Sequence, residues 1–204
     1  MIEQGTPEWK AQRLGHVTAS RVADVLAKVR TGEAKVREDY RFELAVERLT
    51  NTSRDFYIND AMRWGTDTEP QARMAYEVSR GTMVEEVGFI HHPYIKYVGA
   101  SPDGLIGSDG GLEIKCPNSE THLRTIYDQS IPSKYIPQVQ MGMWVTGRAW
   151  WDFVSYDPRL PPELQLFVTR IKRDEEYIRN MEKEVNIFLH DVEETIQQIR
   201  SKNA

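Results

Sequence analysis

The chain has 204 residues, of which 40% are hydrophobic, a formal net charge of -5 and one cysteine, Cys116. That length supports one sizeable core without staples, while a lone cysteine excludes an internal disulfide and any Cys-built zinc or iron–sulfur site. The start, MIEQGTPEWKAQRLG, has no apolar signal core and no apolar run approaches the ~20 residues of a membrane span, so we expect a single cytoplasmic domain over residues 1–204 with no membrane partner.

Charge is uneven along the chain. Residues 13–54 hold nine Lys/Arg against six Asp/Glu, and residues 55–158 hold eight against fourteen. A basic N-terminal third before an acidic middle suits a site where cations help a polyanion approach, although solvated helix faces give the same asymmetry. Residues 19–29 place Val22, Val25, Leu26 and Val29 on one helical face, and residues 38–50 do so with Phe42, Ala45, Val46 and Leu49; both are read as core-packed helices. A third helix is expected from residue 60 to 80, carrying Trp64, Glu69, Ala72, Ala75 and Tyr76, with Gly81 as its stop.

The texture then changes. TMVEEVGFIHH, KYVGAS, LEIKC, AWWDFVSYD and LQLFVTRIKR are short, rich in β-branched or aromatic residues, and bounded by turn formers, which predicts about five strands. Residues 119–146 read as mostly helical. The tail carries Ile178, Met181, Val185, Phe188, Val192 and Ile196 in register for a long amphipathic helix. The expected fold is α/β, a mixed central sheet of about five strands flanked by helices. The tandem His91-His92, followed by Pro93, is read as a surface turn without a role.

Ser108-Asp109-Gly110-Gly111 is a turn cluster, so VGASPDGLIGSDGGLEIKCP is read as a hairpin entered on the strand that ends near Ser101 and left along LEIKC. Alternation puts Glu113 and Lys115 on one face of the outgoing strand and Leu112, Ile114 and Cys116 on the other. With Asp103 ten residues before Glu113, the pattern is P-D, spacer, E-x-K. Carboxylates that hold Mg²⁺ beside a lysine that orients water are what phosphodiester cleavage needs. An exposed cross-strand charge pair next to an ordinary Pro-Asp-Gly turn would read the same way, and the hairpin alone leaves both open.

Six ordered blocks extend the pattern along the chain: Trp9-x3-Arg13-Leu14-Gly15-x-Val17-Thr18-Ala19-Ser20, Trp64-Gly65-x3-Glu69, Ser101-Pro102-Asp103-Gly104-Leu105, Gly111-Leu112-Glu113-Ile114-Lys115-Cys116-Pro117, Gln138-Val139-Gln140-x2-Met143-Trp144-Val145-Thr146 and Tyr156-Asp157-Pro158-Arg159. Over nearly its full length the chain resembles the phage lambda exonuclease, or YqaJ-type viral recombinase, family of the PD-(D/E)XK nuclease superfamily.

The resemblance implies a PD-(D/E)XK restriction-endonuclease-like core. It implies an exonuclease that degrades one strand of linear duplex DNA 5′ to 3′ from a phosphorylated end, releases 5′-mononucleotides and leaves a 3′ overhang. In that reading Asp103, Glu113 and the Ile114 carbonyl bind Mg²⁺, with Mn²⁺ as a substitute, Glu69 completes a second-metal environment, and Lys115 positions the attacking water. Arg13, Ser20 and Arg30 match the 5′-phosphate pocket, with Ser101 and Gln138 as further contacts. A forked Arg beside a hydroxyl suits a terminal dianion, although Thr18 or Ser20 could equally cap the next helix. Met62 falls at the place of a wedge between terminal base pairs. The family further implies a homotrimeric ring, phage or prophage origin, and a single-strand annealing protein as partner. After Cys116-Pro117 this chain has Asn118-Ser119-Glu120 where the lambda member has a basic DNA contact, so that contact has no counterpart at those positions. Another superfamily deoxyribonuclease, endonuclease or RecB-like, and a non-catalytic end-binding module are the alternatives.

Overall fold

The computed structural model describes residues 2–53 and 59–202. Helix α1 (Pro7–Arg13) begins at Thr6, whose hydroxyl accepts the Trp9 N–H at 3.2 Å, and Pro7 occupies the first turn, where its missing donor is harmless. Strand β1 (Val17–Thr18), a 3₁₀ turn at Ala19–Arg21 and helix α2 (Val22–Val25) follow. The helix expected over 19–29 is therefore short. Valines are weak helix formers, the chain turns at Gly32 with φ +79°, and Val29 is exposed.

Helix α3 (Lys35–Thr50) forms as expected but turned about its axis. Phe42, Val46 and Leu49, expected in the core, are 44%, 55% and 41% exposed, while Tyr40, Leu44, Ala45 and Glu47 are buried. Tyr40 and Glu47 face inward because backbone groups of residues 15–18 need their polar tips. Helix α4 (Asp60–Arg80) is capped by Asn59, whose side chain accepts the Met62 N–H at 2.8 Å, and ends at Gly81 with φ +60°.

Strands β2 (Ile90–His91) and β3 (Val98–Ala100) come next, followed by β4 (Gly104–Ile106) and β5 (Gly110–Lys115). After them are α5 (Ser119–Asp128), α6 (Ile136–Thr146), β6 (Trp150–Tyr156), β7 (Leu166–Lys172) and α7 (Glu175–Lys202). Of the expected strand over 82–92, only Ile90–His91 and a bridge from Glu85 to Leu105 form, and a Cβ at Gly88 would come within 2.5 Å of the Ile2 carbonyl.

The fold is mixed α/β, as expected, but its strands make two sheets. One has the order β1-β3-β2, the other β4-β5-β6-β7, with β5 and β6 parallel across the α5–α6 connection. The hairpin is correspondingly shifted: its arms are β4 and β5, closed through Gly107 at φ +53°, while Val98–Ala100 lies in the other sheet. Residues 101–103 carry the chain from one sheet to the other. A Cβ at Gly110 or Gly111 would come within 2.1 or 2.3 Å of the Trp150 or Trp151 ring, so these two glycines let the indoles lie against β5.

All six apolar positions read on the last helix are buried in α7, and they pack with α2, α3 and α6 in the largest core cluster. A second cluster joins Ala72 and Tyr76 of α4 to Leu112 and Ile114 of β5 and to β6. The sheet bearing Glu113 is thereby clamped on the face away from the charges.

Candidate active site

Strand β4 pairs with β5 only as far as Leu112, leaving the far end of β5 without a strand on that side among the described residues. Asp103 fills the gap. Its Oδ2 accepts the Ile114 N–H at 2.6 Å, and its own N–H donates to the Leu112 carbonyl at 3.2 Å. Glu113 and Lys115 share a face, as alternation requires, with Lys115 Nζ 2.6 Å from Glu113 Oε1. Gln138, in the first turn of α6, donates to the same oxygen at 2.5 Å. Gln140, two residues on, instead braces structure: it donates to the Lys172 carbonyl and accepts the Asp174 N–H.

Seven of the sequence-predicted residues line one cavity of about 180 Å³: Arg13, Ser20, Ser101, Asp103, Glu113, Lys115 and Gln138. A larger hollow of about 870 Å³ shares Arg13, Ser20 and Asp103 and adds Met62 and Glu69. Met62 is half exposed on the first turn of α4. Arg30 is brought to neither hollow; it is exposed in the loop after α2. Neither Thr18 nor Ser20 caps a helix with its side chain; their hydroxyls lie 3.3 Å apart.

The electrostatics follow from burial of like charges. Burial, then repulsion from Asp103, raises Glu69 to about 7 against the opposing pull of Arg73. Glu113 also rises to about 7, through burial and the nearness of Asp103 and Glu69, with Lys115 opposing. Burial lifts the Asp103 carboxyl as well. Burial works against the Lys115 charge, but the Glu113 and Asp103 carboxylates outweigh it and raise its pKa. Cys116, pushed up to about 12 by burial and the neighbouring acids, is an uncharged thiol and no candidate nucleophile.

Among the described residues, no three His, Cys, Asp or Glu side chains stand ready as an ion cage. Glu69 is drawn aside by Arg73, whose Nη2 lies 2.8 Å from its Oε1 and whose other arm holds Glu86. The donor set nonetheless fits a hard divalent cation. A buried carboxylate, a half-buried one and a backbone carbonyl are oxygen ligands, and the Asp103 charge that raises both Glu113 and Glu69 marks a place where a cation would be welcome.

Two neighbours of this site went without a role in the sequence reading. The Trp9 indole donates to Ser101 Oγ at 3.0 Å, beside the Arg13 Nη1 that donates to the same oxygen at 3.0 Å, and Arg13 lies over the Trp9 ring at 4.2 Å. The i, i+4 spacing of Trp9 and Arg13 was the available signal. Tyr135, stacked on Phe153, offers its ring to Lys115 Nζ at 5.2 Å; nothing local in the sequence announces that contact.

An Asp at the entry to a hairpin, a Glu-x-Lys on its second strand and a helix-borne Glu alongside, all on a mixed α/β scaffold, define a fold of the PD-(D/E)XK nuclease kind. Residues 8–149 match the YqaJ-like viral recombinase domain, and the chain belongs to that family. It is similar to LHK-Exo, an alkaline exonuclease from Laribacter hongkongensis, at 49% identity over 97% of this chain and 98% of that one, with TM-scores of 0.91 for the complex with dAMP and 0.89 for a second crystal structure. A phage-related exonuclease from Haemophilus somnus 129PT shares the fold, with a TM-score of 0.70 at 15% identity, covering 90% of this chain and 96% of that one. The ExoD protein of Escherichia coli K12 is 37% identical over 71 residues, which are 35% of this chain and 80% of that one. Among the described residues no helix is long and apolar enough to cross a membrane.

Proposed function

We propose that the protein is a Mg²⁺-dependent exonuclease that degrades one strand of linear double-stranded DNA in the 5′ to 3′ direction from a phosphorylated end. It releases 5′-mononucleotides and leaves a 3′ single-stranded overhang. One observation carries the reading: the acid–acid–lysine trio and the Arg13–Ser101 pair line the same small cavity. On this reading a phosphodiester centre would adjoin a cation-and-hydroxyl cup suited to a terminal phosphate. The 49% identity to an alkaline exonuclease crystallised with a deoxynucleoside monophosphate supports it.

Asp103, Glu113 and the Ile114 carbonyl would hold Mg²⁺, with Glu69 released from Arg73 to a second ion; Mn²⁺ would substitute. The bound cation supplies charge neutralisation at the scissile phosphate and acidifies a bound water. Gln138 holds the Glu113 carboxylate in place. Lys115 orients the water and offsets the charge that develops on the phosphate oxygens. Arg13, Ser20, Ser101 and Gln138 would receive the terminal phosphate, Arg30 reaching it only by a change of its loop, and Met62 would part the last base pair. A homotrimeric ring, action beside a single-strand annealing protein, and work in the cytoplasm of a host bearing the gene on a phage or prophage complete the proposal.

The test is incubation with Mg²⁺ of linear duplex, with and without 5′-phosphate, and of a closed circle, by the wild type and by Asp103→Ala. Mononucleotides from the phosphorylated linear duplex alone are expected. Cleavage of the circle would point to an endonuclease, tight end binding without cleavage to a non-catalytic module, and wild-type rates for Asp103→Ala would overturn the assigned centre.

A further inference from the structure

Helix α3 grips the stretch that lies between the two arms of the proposed phosphate cup. Glu47, 8% exposed, accepts the Gly15 N–H at 2.7 Å. The next residue, Arg48, donates from Nε to the Gly15 carbonyl at 3.0 Å and lays its guanidinium over Tyr97 at 3.8 Å. Both polar groups of Gly15 are thus taken by charged partners, which give stronger bonds than neutral ones. Two turns earlier on the same face, the Tyr40 hydroxyl donates to the His16 carbonyl at 3.1 Å and accepts the Thr18 N–H at 3.3 Å. Gly15 has φ +70°, and a Cβ there would come within 2.7 Å of Arg48 Cγ, so the contact is close as well as polar.

Of these three side chains only Tyr40 and Glu47 border the larger hollow, and none lines the cavity that holds the acid trio. What they fix is backbone. Arg13 ends α1 just before Gly15, and Ser20 follows just after Thr18. We propose that Tyr40, Glu47 and Arg48 are positioning residues for terminal-phosphate recognition: by pinning residues 15–18 to α3 they set the span between Arg13 and Ser20. This rests on the reading of Arg13 and Ser20 as the phosphate cup. The arrangement also explains why an acid is tolerated so near an anion site, since the Glu47 carboxylate is engaged by the Gly15 amide.

The experiment compares initial rates of the full chain with Mg²⁺ on linear duplexes bearing 5′-phosphate or 5′-hydroxyl ends, read as a ratio. Wild type and Arg13→Ala set the scale. Because small misplacements of binding groups cost as much as 10²-fold, Glu47→Ala is expected to lose at least about 10-fold of the ratio. Glu47→Gln, which keeps an oxygen for the Gly15 N–H, should retain most of it. Should circular dichroism show Glu47→Ala unfolded, Tyr40→Phe decides, since it keeps the ring stacked on Phe188 and loses only the hydroxyl. A folded Glu47→Ala, or Tyr40→Phe in its place, with the wild-type ratio overturns the inference while leaving the cup standing. A wild type indifferent to the phosphate, or an Arg13→Ala that still discriminates, removes the cup and the inference together.

Discussion

Lys115 Nζ lies 2.6 Å from Glu113 Oε1, on a carboxylate only 4% exposed. The ammonium is the chief partner that keeps this buried acid ionisable, and on the proposed reading it orients the attacking water. Lys115→Ala should lower the single-turnover cleavage rate by about 10³-fold, within the usual range for a lost proton-handling group. Mn²⁺ binding followed by calorimetry should persist, because the oxygen donors remain. A rate within about threefold of wild type would remove Lys115 from the chemistry.

The pH dependence of the metal-free protein follows from Glu113 and Glu69, both raised from 4.5 to about 7, chiefly by burial. A carboxyl raised in the folded state favours the fold while it is protonated; that contribution is full below the unfolded value and is lost as pH climbs through about 7. Melting in EDTA should therefore decline between about pH 5 and pH 7.5. A cation that needs both carboxylates ionised releases protons on binding, so the Mg²⁺-induced rise in melting temperature should grow over the same window. A rise independent of pH would place the ion elsewhere.

Ser101 Oγ accepts from both Arg13 and Trp9, so Arg13 is already held in place at the proposed phosphate cup. Arg13→Ala removes charge-assisted bonds of about 1.5–3 kcal/mol, so preference for phosphorylated ends should fall roughly 10- to 100-fold. The rate on hydroxyl ends is the control. An unchanged preference would misplace the cup.

Beyond the site, Asp157 is wholly buried and accepts from Arg159 Nε at 2.7 Å and Ser119 Oγ at 2.6 Å, while Arg159 rests on the Trp64 ring. Burial opposes ionisation, but the Arg159 and Ser119 bonds win and hold the Asp157 carboxyl down at about 2. Its contribution is present above the unfolded value of 3.8 and is lost as pH falls toward 2. Arg159→Ala removes the two guanidinium bonds but leaves the residue 159 N–H and the Ser119 hydroxyl on Asp157, and should cost about 1.5–3 kcal/mol in urea unfolding at neutral pH. A loss under about 1 kcal/mol would mean that Ser119 and the residue 159 N–H suffice.

What could be read from sequence divides by range. The α7 stripe and the α4 stop at Gly81 were legible because each depends on residues within a few turns of one another. The shared face of Glu113 and Lys115 was legible from strand alternation alone. The exposed Phe42, Val46 and Leu49 show the opposite case: the inward face of α3 was chosen by Tyr40 and Glu47, which serve backbone groups more than twenty residues away. The split into two sheets was hidden for a similar reason. β1 is two residues long, and its pairing with β3 joins positions 17 and 98. Within the site, Asp103, Glu113 and Lys115 announced themselves by type and spacing, and the hold of Arg73 on Glu69 was available as an i, i+4 pair on α4, whereas the contact of Tyr135 with Lys115 depends on packing that no local pattern encodes.

Ser101 and Asp103 sit on the bridge that carries the chain between its two sheets, separated by Pro102 alone. Two extended residues reach at most about 7 Å. On the proposed reading, a strand end seated at Ser101 can therefore present only its nearest internal phosphate to Asp103. On that reading the length of the stride, one nucleotide per step, would be set by a three-residue bridge with a stiff ring in its middle.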